Sequence, residues 1–391
     1  MGKHSPPADT GTRLHALDNL RALLMWLGIV LHVEAIYAVQ RMPNAWRDDQ
    51  RTLVADVVVS SIHAFRMPAF FILGGFFAAL LVRSRGPDGL LRHRLMRLGL
   101  PFALFWPLLW LASGVAALFF MNLMVRDEWG LDTHVVPRLP ILDSPNTIHL
   151  WFLWMLLWFC VATAALWRLP RAWFAPIESA LAWLARQPWG FVALALPLML
   201  ASAAYPRGVL APAGAFLPEW NEWLYHGSFF VFGLMLHGRQ AELFAFFQRH
   251  WLAYALGGLV CYLLATAAAL VQAPMLLWAY AYHCISWLWS FAAIGLALRL
   301  VPRRHVVLGY LSDSAYWVYL MHYPLTILFG ALLFELSLPV TAKVLINIAA
   351  TTLVCLGSYE LFVRHGWIGQ LLNGKRYPRR SPESGREHRV T

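Results

Sequence analysis

The first apolar stretch of the sequence carries an arginine near its start and a histidine at its end. Arg21 and His32 lie in LDNLRALLMWLGIVLH, residues 17–32, and no charged residue separates them. In a helix, this spacing puts both side chains within about 20° of one face and about 16 Å apart along the axis. A histidine can take a proton from a hydroxyl, and an arginine pairs with a phosphate or carboxylate. The pair therefore predicts a reaction axis with an anion site at one end and a base at the other.

Four more ionisable side chains in apolar stretches are predicted to lie near His32 or above it. A second stretch that runs back antiparallel brings Arg66 to the depth of His32, with His63 one helical turn above it. His322 falls at mid-depth of the ninth apolar stretch, and His149 at the outer mouth of the fourth. A charge at the centre of a membrane costs roughly 3 kcal/mol, so such residues normally face a cavity or a partner. The sequence thus predicts a buried base with a cation near it.

A basic connector, RSRGPDGLLRHRLMR at residues 83–97, follows the second stretch. Its Arg92, Arg94 and Arg97 are predicted to stand at the cytoplasmic mouth, where they would attract a phosphorylated donor. They would form a funnel that leads past Arg21 to the base. The same arginines could instead serve only as determinants of membrane orientation.

The composition predicts the elements that hold these residues. Of the 391 residues, 60% are hydrophobic and 13% are charged, and the mean hydropathy is +0.56. This is too little polar surface for a soluble globule. Because a hydrocarbon core of about 30 Å needs about 20 apolar residues per helix, we predict an all-α, polytopic membrane protein with about ten transmembrane helices. The predicted spans are 17–39, 56–82, 98–124, 148–167, 188–206, 223–237, 251–271, 276–298, 310–334 and 339–363.

Lysine and arginine predict the orientation. They are concentrated in alternate loops, which places both the N-terminus and the C-terminus in the cytoplasm. We predict a cytoplasmic segment at 1–16, a transmembrane domain at 17–364 and a disordered cytoplasmic tail at 365–391. The net charge of +11 indicates orientation and attraction to anionic lipids, and no nucleic-acid partner is expected. The four cysteines have no metal-ligand spacing, so neither a metal nor a disulfide is predicted.

Several of the candidate residues have simpler interpretations. A lone membrane histidine can hydrogen-bond between helices, and this is the favoured interpretation for His226 and His283. Asp18 could serve only to cap the first helix. Gly74 and Gly75 indicate close helix packing, although a glycine pair could also admit a thin substrate chain.

Five motifs of this sequence resemble, in the same order, those of the membrane acyltransferases of acyltransferase family 3. In that family an arginine or lysine, ten intervening residues and a histidine form the signature of the first helix, matched here by Arg21 and His32. The resemblance covers about 17–364 and is strongest to a branch that succinylates osmoregulated periplasmic glucans. One departure is Gly74–Gly75, where the wider family usually has Ser-Gly, so a serine contact to substrate would be absent. The motifs are LDNLRALLMWLGIVLH, IHAFRMPAFFILGGFF, HLWFLWMLLW, YWVYLMHYPL and YELFVR.

The resemblance implies an acyl-CoA donor in the cytoplasm, a glucan acceptor in the periplasm and a location in the bacterial inner membrane. It implies a catalytic role for His32 and places Arg21 and Glu360 in a matching inner layer. Arg66, like three of the histidines, matches a position of the glucan branch. No permanently bound cofactor is expected, and a homo-oligomer stays open. The expected acyl-CoA ligands are Arg21, Arg92, Arg94 and Arg97, and the supporting or acceptor-side residues are Asp18, His63, His149, His322 and Glu360.

The working hypothesis is an acyl transfer across the membrane. His32 accepts the proton of a glucan primary hydroxyl, whose oxygen attacks the thioester carbonyl of an acyl-CoA while Arg66 stabilises the oxyanion. Alternatively, His32 itself carries the acyl group, or Arg66 holds the distal carboxylate of a succinyl group. Rival functions are acetylation of another envelope polysaccharide, secondary transport of an anionic metabolite, and a structural role in an envelope-glucan assembly.

Overall fold

The structure, a computed structural model, describes residues 10–40, 45–136, 145–205, 214–303 and 306–378, with side chains from residue 15 onward. Within these ranges the regular elements are helices, and one isolated bridge joins Ala38 and Thr52. The all-α prediction is therefore confirmed. Parts of the predicted terminal segments, residues 1–9 and 379–391, lie outside the described ranges.

The described chain contains twelve α-helices. A π-helical turn at Leu95–Gly99 joins α2 to α3, another at Tyr359–Val363 extends α11, and a 3₁₀ turn at Ile148–Leu150 precedes α4. The helices are α1 Thr10–Glu34, α2 Leu53–Arg94, α3 Leu100–Arg126, α4 Trp151–Leu166, α5 Ala175–Arg186, α6 Gly190–Ser202, α7 Trp220–Gly238, α8 Gln240–Leu270, α9 Met275–Leu300, α10 Val306–Phe334, α11 Val340–Ser358 and α12 Trp367–Asn373.

Seven helical segments of the described chain are long and apolar enough to cross a membrane. One of them, Leu53–Arg126, contains two predicted spans, 56–82 and 98–124. The predicted spans 188–206 and 223–237 fall on α6, which has 13 residues, and on α7, and neither helix is among the seven. The count of ten is therefore not confirmed, and the cytoplasmic location of the termini stays a prediction. The seven segments are His15–Glu34, Leu53–Arg126, Ile148–Leu166, Gln240–Leu270, Met275–Leu300, Val306–Phe334 and Val340–Val363.

Helix α2 begins at a capped end and is interrupted near its other end. The side chain of Thr52 accepts a hydrogen bond from the backbone N–H of Val54, which satisfies a donor of the first turn. Gly86 has φ 72° and ψ 175°, and Pro87 after it has no N–H to donate, so helical geometry breaks here. The residues after this break, with the π-helical turn, form the connector that carries the predicted donor arginines.

Close packing of α2 against α7 depends on two glycines. A Cβ at Gly75 would lie 2.0 Å from the carbonyl oxygen of Phe230, and a Cβ at Gly233 would lie 2.0 Å from the carbonyl oxygen of Ile72. Any side chain at either position would push the two backbones apart. The structure therefore supports the close-packing interpretation of Gly75.

A buried ion pair ties the segment 45–52, between α1 and α2, to the start of α11. Lys343 Nζ lies 2.8 Å from Asp48 Oδ2, both side chains are 1% exposed, and Nζ also donates to the carbonyl oxygen of Phe334 at 2.9 Å. The backbone N–H of Asp48 donates to the carbonyl oxygen of Ile36. Loss of either charge would leave the other buried and uncompensated, so the pair holds this segment in one geometry.

The chain after α11 returns to the start of α10. The side chain of Asn373 donates to the carbonyl oxygen of Asp313 at 2.7 Å, and Lys375 Nζ lies 2.8 Å from the carboxylate of Asp313. Tyr377 donates to the same carboxylate. The structure therefore differs from the predicted disordered tail, because α12 and residues up to 378 pack against the helices.

Candidate active site

Two histidines from α1 and α10 lie side by side. The ring centroids of His32 and His322 are 5.2 Å apart. Tyr323, the next residue of α10, places its ring 4.9 Å from the ring of His32 in an edge-on arrangement. His32 is half-buried and His322 is buried. The structure thus brings together two residues that the sequence placed at similar depth in different helices.

His149 joins this pair from the turn before α4. Its ring centroid lies 5.4 Å from that of His322 and 4.8 Å from that of Tyr323, and its side chain is buried. The sequence placed His149 at the outer mouth of its span and His322 at mid-depth, and the structure brings the two rings into contact. Because α4 starts only at Trp151, the turn before it reaches the level of His322.

The backbone immediately before His149 is strained. Ile148 has a φ of 47°, which a β-branched residue rarely adopts and which costs roughly 1–2 kcal/mol. Its N–H donates to Oδ1 of Asn146, and both the N–H and the hydroxyl of Thr147 donate to the carbonyl oxygen of Gly214. Such strain persists where the surroundings fix it, and it is typical of active sites. We infer that this turn aims the imidazole of His149 into the site.

Backbone hydrogen bonds fix which nitrogen of two histidines carries the proton. His322 Nδ1 lies 2.8 Å from the carbonyl oxygen of Tyr319 and 3.0 Å from that of Val318, so Nδ1 is the donor. His149 Nε2 lies 3.0 Å from the carbonyl oxygen of Leu320 and donates likewise. A neutral imidazole has one donor and one acceptor, so His322 Nε2 and His149 Nδ1 carry lone pairs. Both atoms are buried without a hydrogen-bond partner among the described residues.

Arg66 of α2 supplies a buried cation beside these acceptors. Its side chain is 6% exposed, and Nε donates to the carbonyl oxygen of Leu24 at 2.9 Å. A Cβ at Gly28 would lie 2.7 Å from Arg66 Nη2 and 3.2 Å from His322 Nε2, so the guanidinium and the imidazole converge on this glycine. Within the described ranges, the buried ion pair is Lys343–Asp48, and no carboxylate pairs with Arg66. A buried arginine without a counter-ion suits an anionic ligand.

His63 completes the part of the site that α2 forms. It is half-buried, and it lies close enough to His32 to interact with it electrostatically, as Arg66 and His149 do. We call His32, His63, Arg66, His149 and His322 the reaction cluster. All five were singled out from the sequence, and the structure brings them together from three helices and one turn. Across the described residues, no three His, Cys, Asp or Glu side chains are arranged to hold a metal ion.

The sequence did not point to three neighbours of the reaction cluster. Tyr323 contacts two of its histidines, and Gly28 gives Arg66 its space. Trp46, in the segment 45–52, places its ring 6.3 Å from that of Tyr323. A signal existed for Gly28, which lies one helical turn before His32, but nothing distinguishes Trp46 among the 20 tryptophans.

Arg21 lies away from the reaction cluster, near the other end of α1. Its guanidinium is 3.1 Å from the carboxylate of Asp18, its side chain is 45% exposed, and it lies over the ring of Phe77 at 5.7 Å. Because α1 begins at Thr10, Asp18 is an interior helix residue, so the capping interpretation of Asp18 is wrong. An exposed arginine of this kind remains accessible to a donor phosphate.

The three connector arginines differ in their surroundings. Arg92 is exposed, whereas Arg94 lies beside Cys160 of α4. Arg97 donates to the carbonyl oxygens of Gln370 and Leu371, each at 2.7 Å, and so binds the C-terminal end of α12. This contact gives Arg97 a packing role, while the role of all three in binding acyl-CoA stays a prediction.

Glu360 lies in the π-helical turn after α11. Its carboxylate accepts two hydrogen bonds of 3.0 Å from Arg364 and one of 3.3 Å from the hydroxyl of Tyr310. His365 Nε2 is 3.5 Å from the same carboxylate. The structure thus places Glu360 in a separate polar group with these residues.

The two histidines interpreted as structural behave differently. His283 Nε2 lies 2.7 Å from the hydroxyl oxygen of Ser202, so the interpretation as a hydrogen bond between helices is confirmed for His283. His226 is buried, and neither of its ring nitrogens has a hydrogen-bond partner among the described residues. For His226 that interpretation is therefore wrong.

Comparison with known proteins gives consistent matches. The acyltransferase domain matches residues 14–361. Glucans biosynthesis protein C of Salmonella paratyphi A is 27% identical over 342 residues, which cover 82% of this chain and 84% of the relative. The protein of the same name from Salmonella typhimurium is 26% identical over 404 residues, which cover 97% of this chain and 98% of the relative. No solved structure matches. Because the domain match spans most of the chain and includes the whole reaction cluster, this protein belongs to the acyltransferase family.

Proposed function

We propose that this protein transfers a succinyl group from cytoplasmic acyl-CoA to hydroxyls of a periplasmic glucan. The observation that carries the proposal is the convergence of a buried arginine, without a carboxylate partner in the described chain, on the unprotonated Nε2 of His322 next to His32. This arrangement offers a site for negative charge beside groups that can accept protons. The name of the relatives, glucans biosynthesis protein C, supports the choice of acceptor.

The reaction proceeds by attack of the acceptor hydroxyl on the thioester carbonyl. The O–H bond breaks as its proton passes to His32, and the new C–O bond forms. The tetrahedral oxyanion then collapses, the C–S bond breaks, and the thiolate leaves with the bonding electron pair. The imidazolium of His32 returns the proton to the thiolate, so the products are an ester, a free thiol and the original histidine. An acyl-histidine intermediate would divide the same exchange into two steps.

Arg66 has two proposed tasks, and only one of them can apply at a time. With Nε bonded to Leu24, Nη2 lies beside Gly28, on which Nε2 of His322 also converges. From there the guanidinium would stabilise the oxyanion or hold the distal carboxylate of a succinyl group. In either task, a negative charge of the substrate lies beside the buried guanidinium and compensates its positive charge.

The acceptor is proposed to enter beside the segment 45–52. Tyr323 presents a half-buried ring next to His32, and the half-buried ring of Trp46 lies 6.3 Å from that of Tyr323. The Lys343–Asp48 pair fixes the segment that carries Trp46. The donor is proposed to enter from the opposite end of α1, where Arg21 is exposed. The reaction cluster lies between these two approaches.

Mass spectrometry of periplasmic glucans tests the proposed function. Glucans should carry succinyl groups in cells that contain the wild-type protein, and should lack them in cells without it or with His32→Ala. If the glucans carry acetyl groups in place of succinyl groups, the donor is a different acyl-CoA and the proposed acyl transfer to glucan still stands. Identical glucans in all three strains would refute the acyl transfer to glucan.

Arg92→Ala is expected to raise the apparent KM for acyl-CoA about 3- to 10-fold and to leave kcat and the acceptor KM nearly unchanged. A phosphate contact made equally in the ground state and the transition state affects mainly KM. Initial rates in proteoliposomes measure this, with Arg249→Ala on α8, also exposed, as the matched control. Equal changes in the donor and acceptor KM would assign Arg92 to folding or orientation. Arg97 is kept in both proteins because it binds α12.

A further inference from the structure

His226 of α7 is a buried polar group that the proposed reaction does not use. Its side chain is 3% exposed, and neither ring nitrogen has a hydrogen-bond partner among the described residues. A buried donor without an acceptor costs roughly 1–3 kcal/mol. Such a group in a folded protein needs an explanation, and one explanation is a ligand that completes its hydrogen bonds.

Aromatic rings from three helices surround this imidazole. The ring of His226 lies 4.7 Å from that of Phe71 on α2 and 5.1 Å from that of Trp151 on α4, and both pairs are tilted by less than 40°. Tyr225 approaches edge-on at 5.1 Å. Trp151 is half-buried, so part of its side chain remains exposed.

The surroundings of His226 adjoin the reaction cluster through α2 and α4. His63 is close enough to interact electrostatically with both His226 and His32. At 100° per residue, His63 lies between Arg66 and Phe71 around the axis of α2, with one of them about 60° to one side and the other about 80° to the other. Trp151 follows His149 by two residues. One face of α2 therefore connects the two groups of side chains.

We propose that His226, His63 and Trp151 form a carbohydrate subsite, which holds a sugar ring of the acceptor next to the ring that reacts. The subsite rests on the proposed function, because it assigns part of the acceptor to a place beside the reaction cluster. His226 would bind one hydroxyl of this ring, and Trp151 would pack against its C–H face.

The hydrogen-bonding capacity of the imidazole identifies the ligand class. A neutral imidazole offers one N–H donor and one lone pair. A hydroxyl can accept from the first or donate to the second, whereas a carboxylate or phosphate can only accept. Flanking aromatic rings favour a ligand with both apolar and polar surface. The anionic acyl group has its own candidate partner in Arg66, on the other side of His63.

Equilibrium binding of a neutral linear glucan oligosaccharide to the purified full-length protein, without acyl donor, tests the subsite. His226→Phe keeps the ring and removes both hydrogen bonds, and we expect it to weaken binding about 10-fold or more. His226→Gln keeps a donor and an acceptor and should stay within about 3-fold of wild type. Trp151→Leu should weaken binding as His226→Phe does, which provides a second variant if the first folds poorly.

His237→Phe is the matched control. It lies eleven residues further along α7, on nearly the same face, and its ring packs 5.2 Å from that of Phe76. We expect it to bind the oligosaccharide as wild type does. The subsite would be overturned if wild type did not bind the oligosaccharide, or if His226→Phe bound it as wild type does. It would also be overturned if His226→Phe weakened the binding of free succinate but not that of the oligosaccharide. If the protein binds the oligosaccharide through His226 but transfers no acyl group, the subsite stands and the proposed function is refuted.

Discussion

His32→Ala should lower acyl transfer about 100-fold or more, while the protein still inserts and purifies normally. A positioned general base is worth about 10² to 10⁴ in rate, and the loss is complete if His32 carries the acyl group. His32 is half-buried near the end of α1, so alanine removes little packing. Transfer is measured in proteoliposomes with acyl-CoA on one side and glucan on the other.

A remote histidine supplies the control for this substitution. His250 on α8 bonds through Nδ1 to the carbonyl oxygen of Phe246 in its own helix, and His250→Ala should transfer at the wild-type rate. Near-normal transfer by His32→Ala would place the base elsewhere. His322 would then be the next candidate, because its Nε2 is unprotonated and lies beside Arg66.

Gly28→Ala should lower acyl transfer about 10- to 100-fold and leave the protein folded. The new Cβ would lie 2.7 Å from Arg66 Nη2, and the guanidinium cannot retreat freely because Nε is bonded to Leu24. A displacement of about 1 Å at a reacting group can cost about 10²-fold in rate. Alanine is favoured over glycine inside a helix by roughly 0.5–1 kcal/mol, so the substitution should not destabilise the helical conformation of α1. Initial rates and thermal unfolding of the same preparation measure the two effects.

Gly114→Ala on α3 is the matched control, because a Cβ there meets no atom within 4 Å. It should have the same intrinsic effect on a helix and leave transfer unchanged. If Gly28→Ala is as active as Gly114→Ala, the guanidinium moves without consequence, and Arg66 is not held in place for the reaction.

The reaction cluster could be predicted because apolar helices leave few choices for ionisable side chains. Arg21 and His32 share a face by helical periodicity, and an antiparallel second helix brings Arg66 and His63 to a similar depth. The same reasoning predicted an all-α fold. It also favoured a packing role for Gly75, which a close approach of two backbones requires.

Other features depend on geometry that hydropathy does not encode. A window of apolar residues cannot show that Leu53–Arg126 is one segment interrupted at Gly86, or that α6 has only 13 residues. The level of His149 depends on the positive φ of Ile148, which no propensity predicts for isoleucine. Periodicity also says nothing about which buried imidazole finds a partner, so His226 and His283 could not be told apart.

The Lys343–Asp48 pair has a consequence for the synthesis of the protein. Its partners are 295 residues apart, so the segment that carries Trp46 leaves the ribosome long before the lysine that fixes it. At about 5–20 residues per second, the interval is roughly 15–60 s. During this time the segment 45–52 would lack the ion pair that fixes it. A chain that stops before Lys343 would contain the whole reaction cluster, but the charge of Asp48 would have no lysine to pair with.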